Sequence, residues 1–165
     1  MKGNFMKYKD FDVTNKTYCF KFNETNCSKC HSGICGVENS SLNELFNFKE
    51  KLRSKNDINR CKIIASRLIN NNIPSNVYIY FYKQYFHYSF SDGQHRSCCA
   101  AKLNLKDKKV FLKSYISIQD SLCPYCSLKN KIEILENYSD NIYINSRELE
   151  DIKIKLKKDF KLWSL

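Results

Sequence analysis

The stretch VYIYFYKQYFHYSFSDGQHRSCCAAKL, residues 77–103, decides how the chain is read. Val77 to Lys83 is rich in β-branched and aromatic residues, and Phe86 to Phe90 follows after a short Gln84-Tyr85 connection. Two such runs so close together predict a β-hairpin. Asp92-Gly93 closes the second strand. From His95 to Leu105 the spacing predicts a helix with Cys98, Ala101 and Leu105 on one side.

Working outward, Lys109 to Ile118 alternates Val110, Leu112 and Ser114 with Phe111, Lys113 and Tyr115, the period of a strand. Upstream, Asp57 is placed to cap a helix whose apolar stripe is Ile58, Cys61, Ile64, Ala65, Leu68 and Ile69, ended by Asn70 to Asn72 and Pro74. Ser40 or Ser41 is placed to cap an earlier helix, Leu42 to Arg53. Before it come strand candidates Phe5–Val13 and Thr17–Phe22 and a Cys-rich loop from Cys27 to Cys35. After residue 118 the order is a Cys-Pro-Tyr-Cys turn, a helix from Ser127 to Glu136, a short strand at 142–144 and a last helix from Ser146 to Trp163. The elements predict an α/β (α+β) protein, a small mixed sheet with flanking helices. It reads as one domain over 1–165, with 57–118 as its core and 1–56 and 119–165 flanking it.

The 165 residues carry 28 Lys and Arg against 17 Asp and Glu, a formal charge of +11. Such an excess favours a polyanionic partner, nucleotide or nucleic acid, although most of it is Lys, with Arg only at 53, 60, 67, 96 and 147. The N-terminal thirty residues lack an apolar secretory core, and Val77 to Tyr82, the longest strongly apolar run, is too short to cross a bilayer. The expectation is a cytoplasmic protein with no membrane partner. Glycine occurs only at 3, 33, 36 and 93, which excludes a Walker loop and a Rossmann fingerprint. Three histidines, His31, His87 and His95, cannot form a two-histidine zinc-protease helix. None has Glu two positions on, as a zinc deaminase requires.

Residues 92–97 combine groups that handle anions. Gly93 can take a positive φ and bring backbone close to a ligand, and the helix start behind it offers unpaired N–H groups. Arg96 supplies a planar fork for phosphate oxygens. His95 can carry a proton, Asp92 can hold Mg2+ or orient a hydroxyl, and Ser97 lies near enough to touch a ligand. Gly93, Gln94, His95, Arg96 and Ser97 are therefore candidate phosphate-binding residues, and His95, Asp92 and Arg96 candidate catalytic ones. The plain alternative is a strand-to-helix turn in which Asp92 caps the helix and His95 and Arg96 are solvated. Glu44 and Glu50 are the candidate partner carboxylates.

The run FSDGQHRSC, residues 90–98, set between a hairpin and a helix over 57–118, resembles the ParB/sulfiredoxin-like superfamily, and its DGQHR-type members in particular. Gln94 stands where sulfiredoxin-like members carry a catalytic Cys, and Gln94-His95 where the chromosome-partitioning CTPases carry Glu-Arg. What the resemblance implies is the shared trait of binding nucleotide phosphate at this loop, which in some members supports ATPase, kinase or nuclease activity.

Nine cysteines, at 19, 27, 30, 35, 61, 98, 99, 123 and 126, include two Cys-x-x-Cys pairs. An odd number without a secretory signal points to metal rather than a disulfide framework. Cys27, Cys30, Cys123 and Cys126 are the expected ligands of a structural Zn2+, with His31 or Cys35 able to replace one. The same thiolates suit an iron–sulfur cluster. Cys27-Ser-Lys-Cys30-His31 also matches a c-type haem attachment, and Cys123-Pro-Tyr-Cys126 a glutaredoxin-like redox turn. Cys19 and Cys61, beside apolar neighbours, read as buried thiols, and Cys98-Cys99 as helix packing.

Tyr78, Tyr80, Tyr82, Tyr85 and Tyr88 form a Tyr-rich hairpin that can stack bases of a single strand or pack under a helix; packing is the preferred reading. Three functions follow. The leading one binds a nucleotide or nucleic-acid phosphate at 92–97 and hydrolyses a phosphoanhydride or phosphodiester. The second is a non-catalytic, zinc-stabilised nucleic-acid-binding module. The third is a thiol redox protein built on Cys123 and Cys126.

Overall fold

The computed structural model describes residues 5–14, 16–23, 26–49, 58–72, 76–137, 146–160 and 163–164. Six strands make one mixed sheet, β1 (Phe5–Asp12), β2 (Thr17–Lys21), β3 (Val77–Tyr82), β4 (His87–Asp92), β5 (Phe111–Gln119) and β6 (Trp163–Ser164). Their order across the sheet is β1-β5-β3-β4-β2-β6. The hairpin β3–β4 is antiparallel as the sequence predicts, with β5 parallel to β3 on one side and β2 parallel to β4 on the other. β1 and β6 pair antiparallel at the two ends. Among the described residues six helices accompany it, α1 (Ser28–Ser32), α2 (Leu42–Asn47), α3 (Ile58–Ile69), α4 (Gln94–Asn104), α5 (Pro124–Asn137) and α6 (Ser146–Phe160).

Alternation along the strands divides the interior in two. On one face Val77 and Ile79 of β3, Leu112 and Ile116 of β5 and Tyr18 of β2 pack against Cys61, Ala65 and Leu68 of α3 and Cys99, Ala100 and Leu103 of α4. The intervening strand residues point the other way. Cys19 and Tyr82 there join Cys123, Tyr125 and Cys126 of the α5 turn in a second, smaller cluster.

Several elements differ from expectation, each for a visible reason. The helix expected over 42–53 stops at Asn47, after a capping box in which Ser41 Oγ accepts from Glu44 N–H and Glu44 returns the bond to Ser41 N–H. Glu44 is thus part of a cap. On α4 the buried side is Cys99, Ala100 and Leu103 rather than Cys98, Ala101 and Leu105; the helix ends at Asn104 and leaves Leu105 85% exposed. Trp163 leaves the last helix to pair with Lys21, which covers backbone of β2 that would otherwise form an edge. The expected Asp57 cap, Glu50 and the strand at 142–144 lie outside the described residues.

One glycine is required by packing. Gly93 links β4 to α4 at φ +92, and a Cβ added there would sit 2.3 Å from Val77 Cγ1. Only a bare backbone lets the turn rest on β3. Gly93→Ala is expected to cost roughly 2–4 kcal/mol, from the strained φ and the clash together. An unchanged midpoint in chemical denaturation would show that the turn does not press on the sheet.

Candidate metal centre

The second face of the sheet gathers sulfur. Cys19, from the middle of β2, and His87, which opens β4, are brought side by side by the parallel pairing that matches Thr17 with His87 and Cys19 with Ser89. Cys123 reaches them from the turn that follows β5. Cys19 Sγ lies 3.3 Å from Cys123 Sγ, and His87 Nδ1 lies 3.2 Å from Cys123 Sγ and 3.4 Å from Cys126 Sγ. Cys126 N–H donates to Cys123 Sγ at 3.4 Å, and Ser127 N–H to the Cys123 carbonyl at 2.8 Å. The Cys-Pro-Tyr-Cys turn therefore folds as a knuckle that opens α5 and points both sulfurs the same way.

Three sulfurs and one imidazole nitrogen are a zinc donor set. Bonds of about 2.3 Å to sulfur and about 2.0 Å to nitrogen place tetrahedral ligands roughly 3.5–3.8 Å apart, and the contacts of 3.3 Å between Cys19 and Cys123, 3.2 Å between His87 and Cys123 and 3.4 Å between His87 and Cys126 are of that order. Among the described residues, Cys19, His87 and Cys123 are the one group of three whose ligand atoms all lie within 4.8 Å of one another, and Cys126 adjoins it. Cys19 and Cys123 are each 1% exposed. Burial first, and then the neighbouring thiols, push the Cys19 thiol far above its ordinary range and Cys126 up to about 11. Without a cation these thiols keep their protons in a crowded apolar site; a divalent ion that takes their place satisfies all four ligands together. The Cys19–His87–Cys123 group, with Cys126 beside it, could hold a metal ion.

The expected ligand set is corrected in half its members. Cys123 belongs to the group and Cys126 adjoins it at His87; Cys27 and Cys30 are not among its members. Cys27 precedes α1, and Cys30 is exposed on it. The Asn26 carbonyl beside them accepts from His95 of α4 and Arg60 of α3, which fixes this segment to the helix-covered side of the sheet. Cys19 and His87 take their places. None of the nine cysteines is in a disulfide.

Within the 92–97 loop Asp92, Gln94, His95 and Arg96 have protein partners, while the Ser97 hydroxyl is buried with no hydrogen-bond partner. Gln94 makes two 3.1 Å hydrogen bonds to β2, accepting from Lys21 N–H and donating to the Lys21 carbonyl. Arg96 Nη2 meets Asp92 Oδ2 at 2.6 Å, so Asp92 holds the guanidinium instead of capping the helix, whose N-cap is Gly93. His95 is 9% exposed, donates from Nε2 to the Asn26 carbonyl at 2.6 Å and lies against Phe22. Burial, helped by the nearby Arg60 charge, lowers its pKa to about 4. Ser97 is fully buried. The expected candidates do lie together, but they tie α4 to β2, to the segment before α1 and to β4.

Two outcomes are expected. Purified protein should carry about one zinc per chain, and chelation should lower the melting temperature by roughly 10 °C or more. Cys19→Ser and His87→Ala should lose the metal, while Cys27→Ser with Cys30→Ser should keep it. The reverse pattern would return the ligands to the first Cys-x-x-Cys pair. The second concerns His95. Its folded pKa lies below the ordinary 6.5, so the unfolded chain binds this proton more readily. Its stability contribution is present above pH 6.5 and is lost as the pH falls through about 4. Relative to His95→Gln, which keeps a donor for Asn26, wild type should lose about 2 kcal/mol more on going from about pH 7 to about pH 5. Parallel pH profiles would contradict the buried, neutral imidazole.

No family model, no curated protein and no solved structure matches this chain.

Proposed function

We propose that the chain is a zinc-clasped nucleic-acid-binding module without turnover. The observation that carries this reading is that Asp92, Gln94, His95 and Arg96 are each engaged by protein partners. A nucleotide phosphate at Arg96 would compete with a 2.6 Å ion pair to Asp92, and Mg2+ at Asp92 would compete with the same guanidinium. A base with a pKa of about 4, facing a backbone carbonyl, is poorly matched to proton transfer at neutral pH. These contacts favour a stitching role for the loop over hydrolysis of a phosphoanhydride or phosphodiester. The redox reading of Cys123 and Cys126 uses the same sulfurs as the metal, and His87 Nδ1 beside both favours the metal. With the site's chemistry structural, the formal +11 charge is the remaining functional signal, and it selects a polyanion.

The test is the affinity of zinc-loaded protein for a labelled oligonucleotide at rising salt. Between about 50 and 200 mM salt the affinity should fall at least about tenfold, as release of counterions from three or more phosphates requires. Arg96→Ala and His95→Gln should leave it within a factor of about two. A nucleoside triphosphate that raises the melting temperature of wild type but not of Arg96→Ala, with turnover abolished in His95→Gln, would move the function back to the 92–97 loop.

A further inference from the structure

On the sheet face away from α3 and α4, the parallel pairing of β3 with β5 sets Tyr78 beside Tyr115, Tyr80 beside Ser117 and Tyr82 beside Gln119. The Tyr78 and Tyr115 rings are stacked, with centroids 5.0 Å apart and planes 12° from parallel. Tyr78 is 39% exposed, and Phe111, four residues before Tyr115 on the same face, is 53% exposed. Cations flank this aromatic row. Lys113 lies between Phe111 and Tyr115, and Lys7 is the cross-strand partner of Tyr115 on β1; both are exposed. Asp12, across from Phe111, has its carboxylate turned to Thr14 N–H and Oγ.

The row runs into a groove. A space of about 800 Å³ continues along the same strands, bordered by Tyr80, Tyr82, Ser117, Gln119, Ser121 and Pro124. Ser117 and Tyr82 are buried at its base, and the groups it presents are the half-buried Tyr80 ring and Gln119 amide and the exposed Ser121, a combination that can read a base by stacking and by its polar edge. Its wall is the knuckle held by Cys123 and Cys126, so the metal centre and the groove share one turn.

We infer that this face, from Phe111 through the Tyr78–Tyr115 stack to the groove beside the metal knuckle, binds a single-stranded nucleic acid, with bases on the aromatic row and phosphates on Lys7 and Lys113. The inference rests on the nucleic-acid reading above and specifies its ligand. Exposed ring faces reward bases that are free to stack, and a duplex hides those bases inside its own stack.

The test measures fluorescence anisotropy with a labelled single strand of about twelve nucleotides, as DNA and as RNA, and with the duplex of the same sequence. A single strand, in one or both chemistries, should bind at least tenfold more tightly than the duplex. Tyr78→Leu and Tyr115→Leu should each weaken it roughly 5- to 100-fold at unchanged zinc content. Tyr115→Phe, which keeps the ring, should restore binding. Lys7→Gln with Lys113→Gln, a change confined to exposed side chains, should weaken binding and flatten its salt dependence even if the tyrosine variants fold poorly. Equal binding of single strand and duplex, indifferent to all these variants, would overturn the inference and leave the nucleic-acid reading standing. Absence of binding to either form by zinc-loaded protein would overturn both.

Discussion

Three thiol sulfurs and an imidazole nitrogen converge on one side of the sheet, and the remaining architecture depends on how that crowding is relieved. Cys19 and Cys123 are 104 positions apart in the chain. Bringing them together closes a loop that includes the hairpin, α3, α4 and β5. Loop-closure entropy rises only slowly with length, but it must be met by contacts that exist solely in the closed state. The cluster around Cys19, Tyr82 and Cys123 is small, so apolar burial there is a modest return. A cation held by these side chains would supply that free energy and join β2, β4 and the α5 turn into a single unit.

That constraint also explains the position of α5 and the shape of the open sheet face. The knuckle pins the start of α5 over Tyr82 and leaves Tyr78 and Phe111 exposed and Tyr115 half-buried on the adjoining strands. On the opposite face, Gly93 rests on Val77, Gln94 bridges to β2, and His95 holds the Asn26 carbonyl. Each sheet face thus carries one fastening, a Cys/His group able to hold a metal on one side and a set of hydrogen bonds on the other, and both involve β2. Arg96 turns back on Asp92, which keeps a buried-side guanidinium paired.

Much of the fold was legible because it is written in short-range pattern. Alternation marks β3, β4 and β5, the stripe from Cys61 to Ile69 marks α3, and Asp92-Gly93 marks the turn into α4. The Cys-x-x-Cys spacing pointed to Cys123 and Cys126, and Cys123 does lie in the Cys/His group that could hold a metal, with Cys126 beside it. It pointed equally to Cys27 and Cys30, because a knuckle pattern says nothing about which face of the sheet it will meet. Cys19 and His87 carry no spacing signal at all. They become neighbours only through the parallel pairing of β2 with β4, a contact between strands far apart in sequence. One hint was present: Tyr18 and Phe20 are both apolar core residues, so the cysteine between them had to face the other side. The 92–97 loop was located correctly as a strand-to-helix junction. Its partners at Lys21 and Asn26 come from the N-terminal segment and could not be read from the motif.

X-ray absorption at the zinc edge of purified protein reads whether one metal joins β2, β4 and the α5 turn. Three sulfur ligands at about 2.3 Å and one nitrogen at about 2.0–2.1 Å are expected. A first shell of four sulfurs, or one dominated by oxygen and nitrogen, would contradict that arrangement.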